Sequence, residues 1–224
     1  MNAFDLVLFD LDGTLVETAS EIFDAVNDTL RYFGLSEVRQ QQVNDWIGHG
    51  TLELLIQALA FSGQVPDSTV RASDSLALSV ARFDVYYQQR CGARSQLYPQ
   101  VRETLTALRH KGVKLAVVTN KEGRYTETVL NAHNLMPLLD AVVNGDSYPA
   151  KKPDPTGVQS CLCRFGVSPE RALFVGDSSI DVATARNAGM RVWALPYGYN
   201  MGQPIEASAP DRVIVDCSEL LRIQ

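Results

Sequence analysis

Asp10 and Asp12 stand one residue apart at the end of Phe4–Phe9, a stretch that is apolar except for Asp5. Two carboxylates at the tip of a buried segment repel each other and lose hydration, so a cation or another partner has to offset them. Gly13 follows and supplies the backbone freedom a tight turn at that tip needs. Three further polar clusters come later in the chain: Thr119/Asn120, Lys151/Lys152 and Asp177/Asp181. Asp10, Asp12 and Asp177 offer the hard oxygen ligands that suit Mg²⁺, and the same donor type suits Mn²⁺. Thr119 offers a hydroxyl, and the amides beside it can donate to a phosphoryl oxygen. Lys152 can balance both the carboxylates and an anionic substrate. One carboxylate can attack phosphorus and form an aspartyl phosphate; a second can protonate the leaving oxygen and then deprotonate water. The chemistry this set supports is phosphoryl transfer.

Each cluster must be carried to the same place by the elements around it. Phe4–Phe9 reads as a strand buried on both faces. From Thr18 to Arg90 the pattern is helical throughout. Thr18-Ala19-Ser20-Glu21 reads as a capping box opening the first helix, with Gly34 as its stop. A second helix is expected around Val38–Ile47, a turn at Gly48-His49-Gly50, and a third helix capped by Thr51. A loop is expected over Ser62–Asp67 and a long amphipathic helix over about 74–90. Gly92–Pro99 reads as a return linker. Beyond it, helices and strands alternate, with strands at Val113–Val118, Ala141–Val143, Leu173–Val175 and Arg191–Leu195, and an edge strand at Val213–Val215. Such alternation predicts an α/β fold, a doubly wound parallel sheet with a Rossmann-like core. Right-handed crossovers then bring all four polar clusters to the carboxyl edge of the sheet, where ligands bind in open α/β folds. The expected organisation is a discontinuous core, residues 1–15 and 96–224, with an inserted all-helical unit over residues 16–95.

Four motifs carry a family resemblance. DLDGT at Asp10–Thr14, VVTN at Val117–Asn120, KKPDP at Lys151–Pro155 and GDSSID at Gly176–Asp181 resemble, in order, the motifs of the haloacid-dehalogenase-like phosphohydrolases. The resemblance implies that Asp10 is the nucleophile and Asp12 the general acid/base. It implies Mg²⁺ held by Asp10, the backbone carbonyl of Asp12, and Asp177, with Asp181 and Ser178 supporting that site from behind. Thr119 and Lys152 join the catalytic set. Gly13, Thr14, Asn120, Lys152 and His49 form the substrate-binding set. The acid at Asp12 fits phosphoester cleavage, because members that cleave carbon–halogen bonds lack one there. The helical insert resembles the family's small cap, which closes over the site, excludes water and reads the non-phosphate part of a small substrate. Thr119-Asn120-Lys121, Gly48-His49-Gly50 and Tyr197-Gly198-Tyr199-Asn200 narrow the implied substrate to a small acidic phosphomonoester, with 2-phosphoglycolate first. Sugar phosphates, pyrophosphate and a phosphomutase reaction are the alternatives. Glu122 departs from the pattern, since such members usually carry Pro after the Lys.

Composition agrees with a metabolite enzyme. The chain has 224 residues, 46% of them hydrophobic, enough for one good-sized core and a smaller unit. A formal net charge of -6 argues against a nucleic-acid or acidic-membrane binder. No apolar stretch is long enough to span a membrane and no signal peptide is visible, so the expected location is the cytoplasm. Cys91, Cys161, Cys163 and Cys217 lack zinc spacing and read as reduced structural thiols. Asp181 also suits the first turn of a helix, and His49 reads as either a substrate contact or a seam between the two units. No signal for an oligomeric state is present.

Overall fold

The structure, a computed structural model, describes residues 3–222. Six parallel strands form the central sheet in the order β5-β4-β1-β6-β7-β8. They are β1 (Leu6–Phe9), β4 (Lys114–Val118), β5 (Ala141–Val143), β6 (Ala172–Gly176), β7 (Arg191–Ala194) and β8 (Arg212–Val213). β1 lies between β4 and β6, with Leu8 level with Ala116 on one side and Phe174 on the other. Chain order runs outward from β1 in one direction and then in the other, so β1 sits where the strand order reverses. The crevice outside the strand ends at such a point is the usual ligand site of an open α/β sheet.

The strands are buried on both faces because their side chains alternate between two cores. Leu6, Leu8, Ala116, Val118, Phe174 and Val192 pack on one side of the sheet. Val7, Phe9, Leu115, Val117, Val175 and Trp193 pack on the other, in a cluster that continues into the helical insert. The covering helices α6 (Val101–His110), α7 (Gly123–Ala132), α8 (Thr156–Phe165) and α9 (Ser179–Asn187) fall between strands, as the alternating pattern predicts.

Five helices are inserted between β1 and β4: α1 (Ala19–Tyr32), α2 (Gln40–Trp46), α3 (Thr51–Gly63), α4 (Asp67–Arg71) and α5 (Leu76–Arg90). α1 packs most extensively on α5, through an apolar stripe that includes Ile22, Ala25, Val26 and Leu30. The expected loop after α3 shrinks to residues 64–66, because α3 runs on to Gly63 and α4 begins at Asp67. The stem of the insert is a two-residue antiparallel pair, β2 (Val16–Glu17) with β3 (Gln96–Leu97).

Two capping expectations are corrected here. Thr18 precedes α1, but its side chain makes no cap hydrogen bond. Its hydroxyl donates instead to Asp12 Oδ1 at 2.7 Å. The α1 amide of Ala19 and the amide of Thr18 both donate to the Tyr199 hydroxyl, at 3.2 and 3.3 Å. Glu21, expected to close the box, is fully buried and accepts the backbone N–H groups of Gly92, Arg94 and Ser95. A buried carboxylate needs such donors, and here they tie the start of α1 to the linker leaving the insert. Thr51, likewise, is the first residue of α3 with Gly50 as its cap, and its hydroxyl donates to Glu122 Oε2 across to α7's start at 2.6 Å.

Candidate active site

Asp10 extends the β1 ladder, its N–H donating to Val175 O at 3.0 Å, and this fixes its side chain at the crevice. Thr119 is held the same way at the tip of β4, donating to Val143 O at 3.0 Å. Lys152 Nζ lies 2.9 Å from Asp10 Oδ1 and 2.7 Å from Asp181 Oδ1, with all three side chains nearly out of water. Lys152 is the group that faces Asp10 Oδ1, which has no other polar partner among the described residues. Burial pushes Asp10 up to about 6, with Asp181 and Asp12 adding to the rise and Lys152 opposing it. Burial pulls Lys152 down, but Asp10 and Asp181 outweigh it and hold the ammonium above its ordinary range.

Asp177 directly follows β6. Its Oδ1 accepts the Thr14 hydroxyl and its Oδ2 accepts the Tyr199 N–H at 2.6 Å. Burial, then Asp181 and Asp10, hold it well above the usual carboxylate range. Asp181 Oδ2 accepts from the Asp177 and Ser178 amides, each at 3.1 Å, and from the Ser178 hydroxyl at 2.7 Å. Ser178 caps α9, and Asp181 completes a capping box there.

Carboxylate oxygens of Asp10, Asp177 and Asp181 lie within 4.8 Å of one another. The three buried carboxylates have one ammonium among them, Lys152, which pairs with Asp10 and Asp181. That excess of negative charge and hard oxygen fits a divalent cation. Asp181 is spent on four donors including Lys152, so Asp10 and Asp177 keep the better-placed lone pairs. The Asp12 carboxylate turns away from this cluster, toward Thr18 and Lys121.

The remaining predicted residues divide in two. Thr119 lines the cavity with Asp10 and Asp12; its oxygen accepts the Lys121 N–H at 3.2 Å, which leaves the hydroxyl proton for a ligand. The Asn120 side chain is fully spent, donating to Gly48 O and Lys152 O at 2.9 and 3.0 Å and accepting the Lys152 N–H at 2.8 Å. It clamps Lys152 and the insert rather than offering a side-chain donor to substrate. Gly13 and Thr14 lie behind Asp177, their amides donating to Val16 O and Leu11 O, and do not line the cavity. Gly13 is needed there for its φ of +87° and because a Cβ would overlap Asp177. His49 is exposed beside the cavity mouth and does not line it, whereas its neighbours Gly48 and Gly50 do.

Lys121 was not among the predicted site residues. It is buried, its Nζ lies 3.0 and 3.1 Å from the two Asp12 oxygens, and it donates to the Tyr87 hydroxyl of α5 at 2.7 Å. The cavity is about 40 Å³, closed on the insert side by Ile22, Leu54, Phe83 and Tyr87.

Comparison with known proteins matches this geometry to a class. The family model for haloacid dehalogenase-like hydrolases matches residues 7–195, and the chain belongs to that family. It is 39% identical over 223 residues to the phosphoglycolate phosphatase of Pasteurella multocida (strain Pm70), spanning 100% of this chain and 99% of the relative. It is 38% identical over 219 residues to the phosphoglycolate phosphatase of Vibrio vulnificus (strain YJ016), spanning 97% and 95%. A crystal structure described as a predicted phosphoglycolate phosphatase from Haemophilus somnus 129pt superposes with a TM-score of 0.93 at 35% identity, covering 99% of this chain and 98% of that one. Family and relatives together make the chain a phosphoric monoester hydrolase. Among the described residues no helix is long and apolar enough to cross a membrane.

Proposed function

We propose that this protein is a Mg²⁺-dependent phosphatase that hydrolyses 2-phosphoglycolate to glycolate and phosphate through an aspartyl phosphate on Asp10. The observation that carries the reading is Asp10 itself. It lines the cavity at the tip of β1, its buried carboxylate held by Lys152 and beside Asp12.

An Asp10 carboxylate oxygen attacks phosphorus as the P–O bond to glycolate breaks. Asp12 gives its proton to the departing oxygen. Water then attacks the phosphoryl phosphorus, Asp12 takes a water proton, and the bond to Asp10 breaks to release phosphate. Thr119 donates its free hydroxyl proton to a phosphoryl oxygen, and Lys152 keeps Asp10 ionised and oriented. A divalent ion held by Asp10, Asp177 and the Asp12 carbonyl supplies positive charge against the phosphoryl oxygens when bound. Thr18 and Lys121 fix the Asp12 rotamer.

In this reading residues 1–15 and 96–224 are the catalytic core and residues 16–95 a cap that excludes water and selects by size. The cavity of about 40 Å³ under the insert suits a small substrate. The names of the relatives support the same substrate. Free thiols at Cys91, Cys161, Cys163 and Cys217 support a reducing compartment such as the cytoplasm. The test is phosphate release from a panel of 2-phosphoglycolate, glycerol phosphates, hexose phosphates and pyrophosphate, with Mg²⁺ and with EDTA. A sharp, metal-dependent preference for 2-phosphoglycolate is expected; equal rates across the panel would remove the substrate assignment.

A further inference from the structure

We propose that Lys121 is the residue that recognises the substrate's carboxylate, and so sets the preference for an acidic two-carbon phosphoester. This rests on the phosphatase reading above. Among the described residues lining the cavity, Lys121 is the sole cation. Lys152 is turned to Asp10 and Asp181, and Lys151 is paired with Glu122 at 3.1 Å. The rest of the lining is apolar, neutral polar or acidic, so an anionic group entering this cavity finds its counter-charge at Lys121.

The position of Lys121 also matches the chemistry of the substrate. Asp12 must reach the ester oxygen to protonate it. In 2-phosphoglycolate the carboxylate is one carbon from that oxygen, so it must lie beside Asp12. Without a cation there, two carboxylates would face each other. Lys121 Nζ sits 3.0 and 3.1 Å from the Asp12 oxygens. With one N–H straddling both Asp12 oxygens and one on Tyr87, the third is available to a ligand oxygen. Tyr87 holds the ammonium in place from the insert side. It is buried in α5, edge-on to Tyr125 with ring centroids 4.7 Å apart. Recognition of the carboxylate and closure of the insert therefore meet at one nitrogen. A sugar phosphate offers no anion at that point.

The experiment compares kcat/KM for 2-phosphoglycolate and for ethyl phosphate, which keeps the two carbons and replaces the carboxylate with methyl. Wild type, Lys121→Met and Lys121→Arg are measured with Mg²⁺. Lys121→Met is expected to lower the preference for 2-phosphoglycolate by about 10-fold or more, beyond any shared loss from freeing Asp12, and Lys121→Arg to restore part of it. Tyr87→Phe keeps the ring and removes the hydroxyl; it is expected to raise KM for 2-phosphoglycolate several-fold more than KM for ethyl phosphate. An unchanged preference in Lys121→Met and Tyr87→Phe, with wild type still favouring 2-phosphoglycolate, overturns the role of Lys121 and leaves the phosphatase reading standing. Wild type that cleaves both esters equally also overturns it. Wild type that cleaves neither removes the phosphatase reading, and this proposal with it.

Discussion

Glu122 reaches in two directions from the start of α7: Oε2 accepts the Thr51 hydroxyl at 2.6 Å and Oε1 lies 3.1 Å from Lys151 Nζ. The first contact crosses from the core to the insert and the second stays in the core. Burial raises the Glu122 carboxyl, but Thr51 and Lys151 outweigh it and hold the group below its ordinary range. At this position the chain has a carboxylate that fastens the insert over the cavity. A Thr51→Val/Glu122→Ala double-mutant cycle is expected to give a coupling energy of about 1 kcal/mol in urea unfolding. A coupling near zero would mean the contact does not hold the insert.

Lys152 neutralises a cluster that cannot stand without it. Lys152→Met leaves Asp10 and Asp181 buried without their cation, and the expected loss is about 3–5 kcal/mol at neutral pH. Stability of this variant should rise as pH falls, because carboxylates with raised folded pKa values take up protons more readily folded than unfolded. Urea unfolding at pH 5 and pH 7.5 checks this; a loss that is the same at both pH values would contradict it.

The same linkage predicts how metal acts on stability. Asp10 is pushed up to about 6 and Asp177 is held well above its ordinary 3.8. Raised carboxylates bind more protons folded than unfolded, so metal-free stability falls as pH climbs from about 4 through the folded values. A bound divalent ion offsets that charge. The rise in Tm on replacing EDTA with Mg²⁺ is therefore expected to be larger at pH 7.5 than at pH 5. Asp177→Asn should raise the metal-free Tm and abolish most of the Mg²⁺ effect. A Tm shift independent of pH would contradict the assignment of these two residues.

Gly198 is a spacing residue for the same centre. A Cβ at this position would overlap the Asp177 carboxylate, whose Oδ2 the next residue, Tyr199, holds. Gly198→Ala is expected to weaken Mg²⁺ binding by about tenfold or more, as displaced support around a metal ligand does. The far-UV circular dichroism should be unchanged. Isothermal titration with Mg²⁺ reads the effect, and wild-type affinity in the variant would contradict it.

Much of this arrangement was legible in the sequence, for identifiable reasons. β1, β4 and β6 are short, mostly apolar runs that end at polar or glycine residues, and that contrast places Asp10, Thr119 and Asp177 at strand tips from sequence alone. The helix Thr156–Phe165 is bounded by Pro155 and Gly166, which mark its ends. What was not legible depends on contacts across the chain. Thr18 and Glu21 have capping-box spacing, yet Asp12 and the amides of residues 92–95 compete for them and win. β2 and β3 are two residues each, too short to show any period. The resemblance puts Asn120 in the substrate-binding set, and the structure adds that its three side-chain hydrogen bonds go to Gly48 and Lys152. Lys121 stood out only as part of Thr119-Asn120-Lys121, and its own role was not legible because only the fold brings Asp12 and Tyr87 to its ammonium. Its place beside Thr119-Asn120 was the one available clue.

The central claim is that Asp10 is the nucleophile of a metal-dependent phosphatase, and one measurement tests it most directly. Phosphate release from 2-phosphoglycolate is followed for wild type and Asp10→Asn in Mg²⁺, and for wild type in EDTA. The Asn side chain has nearly the same shape but cannot form the acyl phosphate. The expected result is a fall of about 10⁴-fold or more in kcat for the variant, with a Tm no lower than wild type, and loss of wild-type turnover in EDTA. An Asp10→Asn protein that releases phosphate at the wild-type rate would contradict the account.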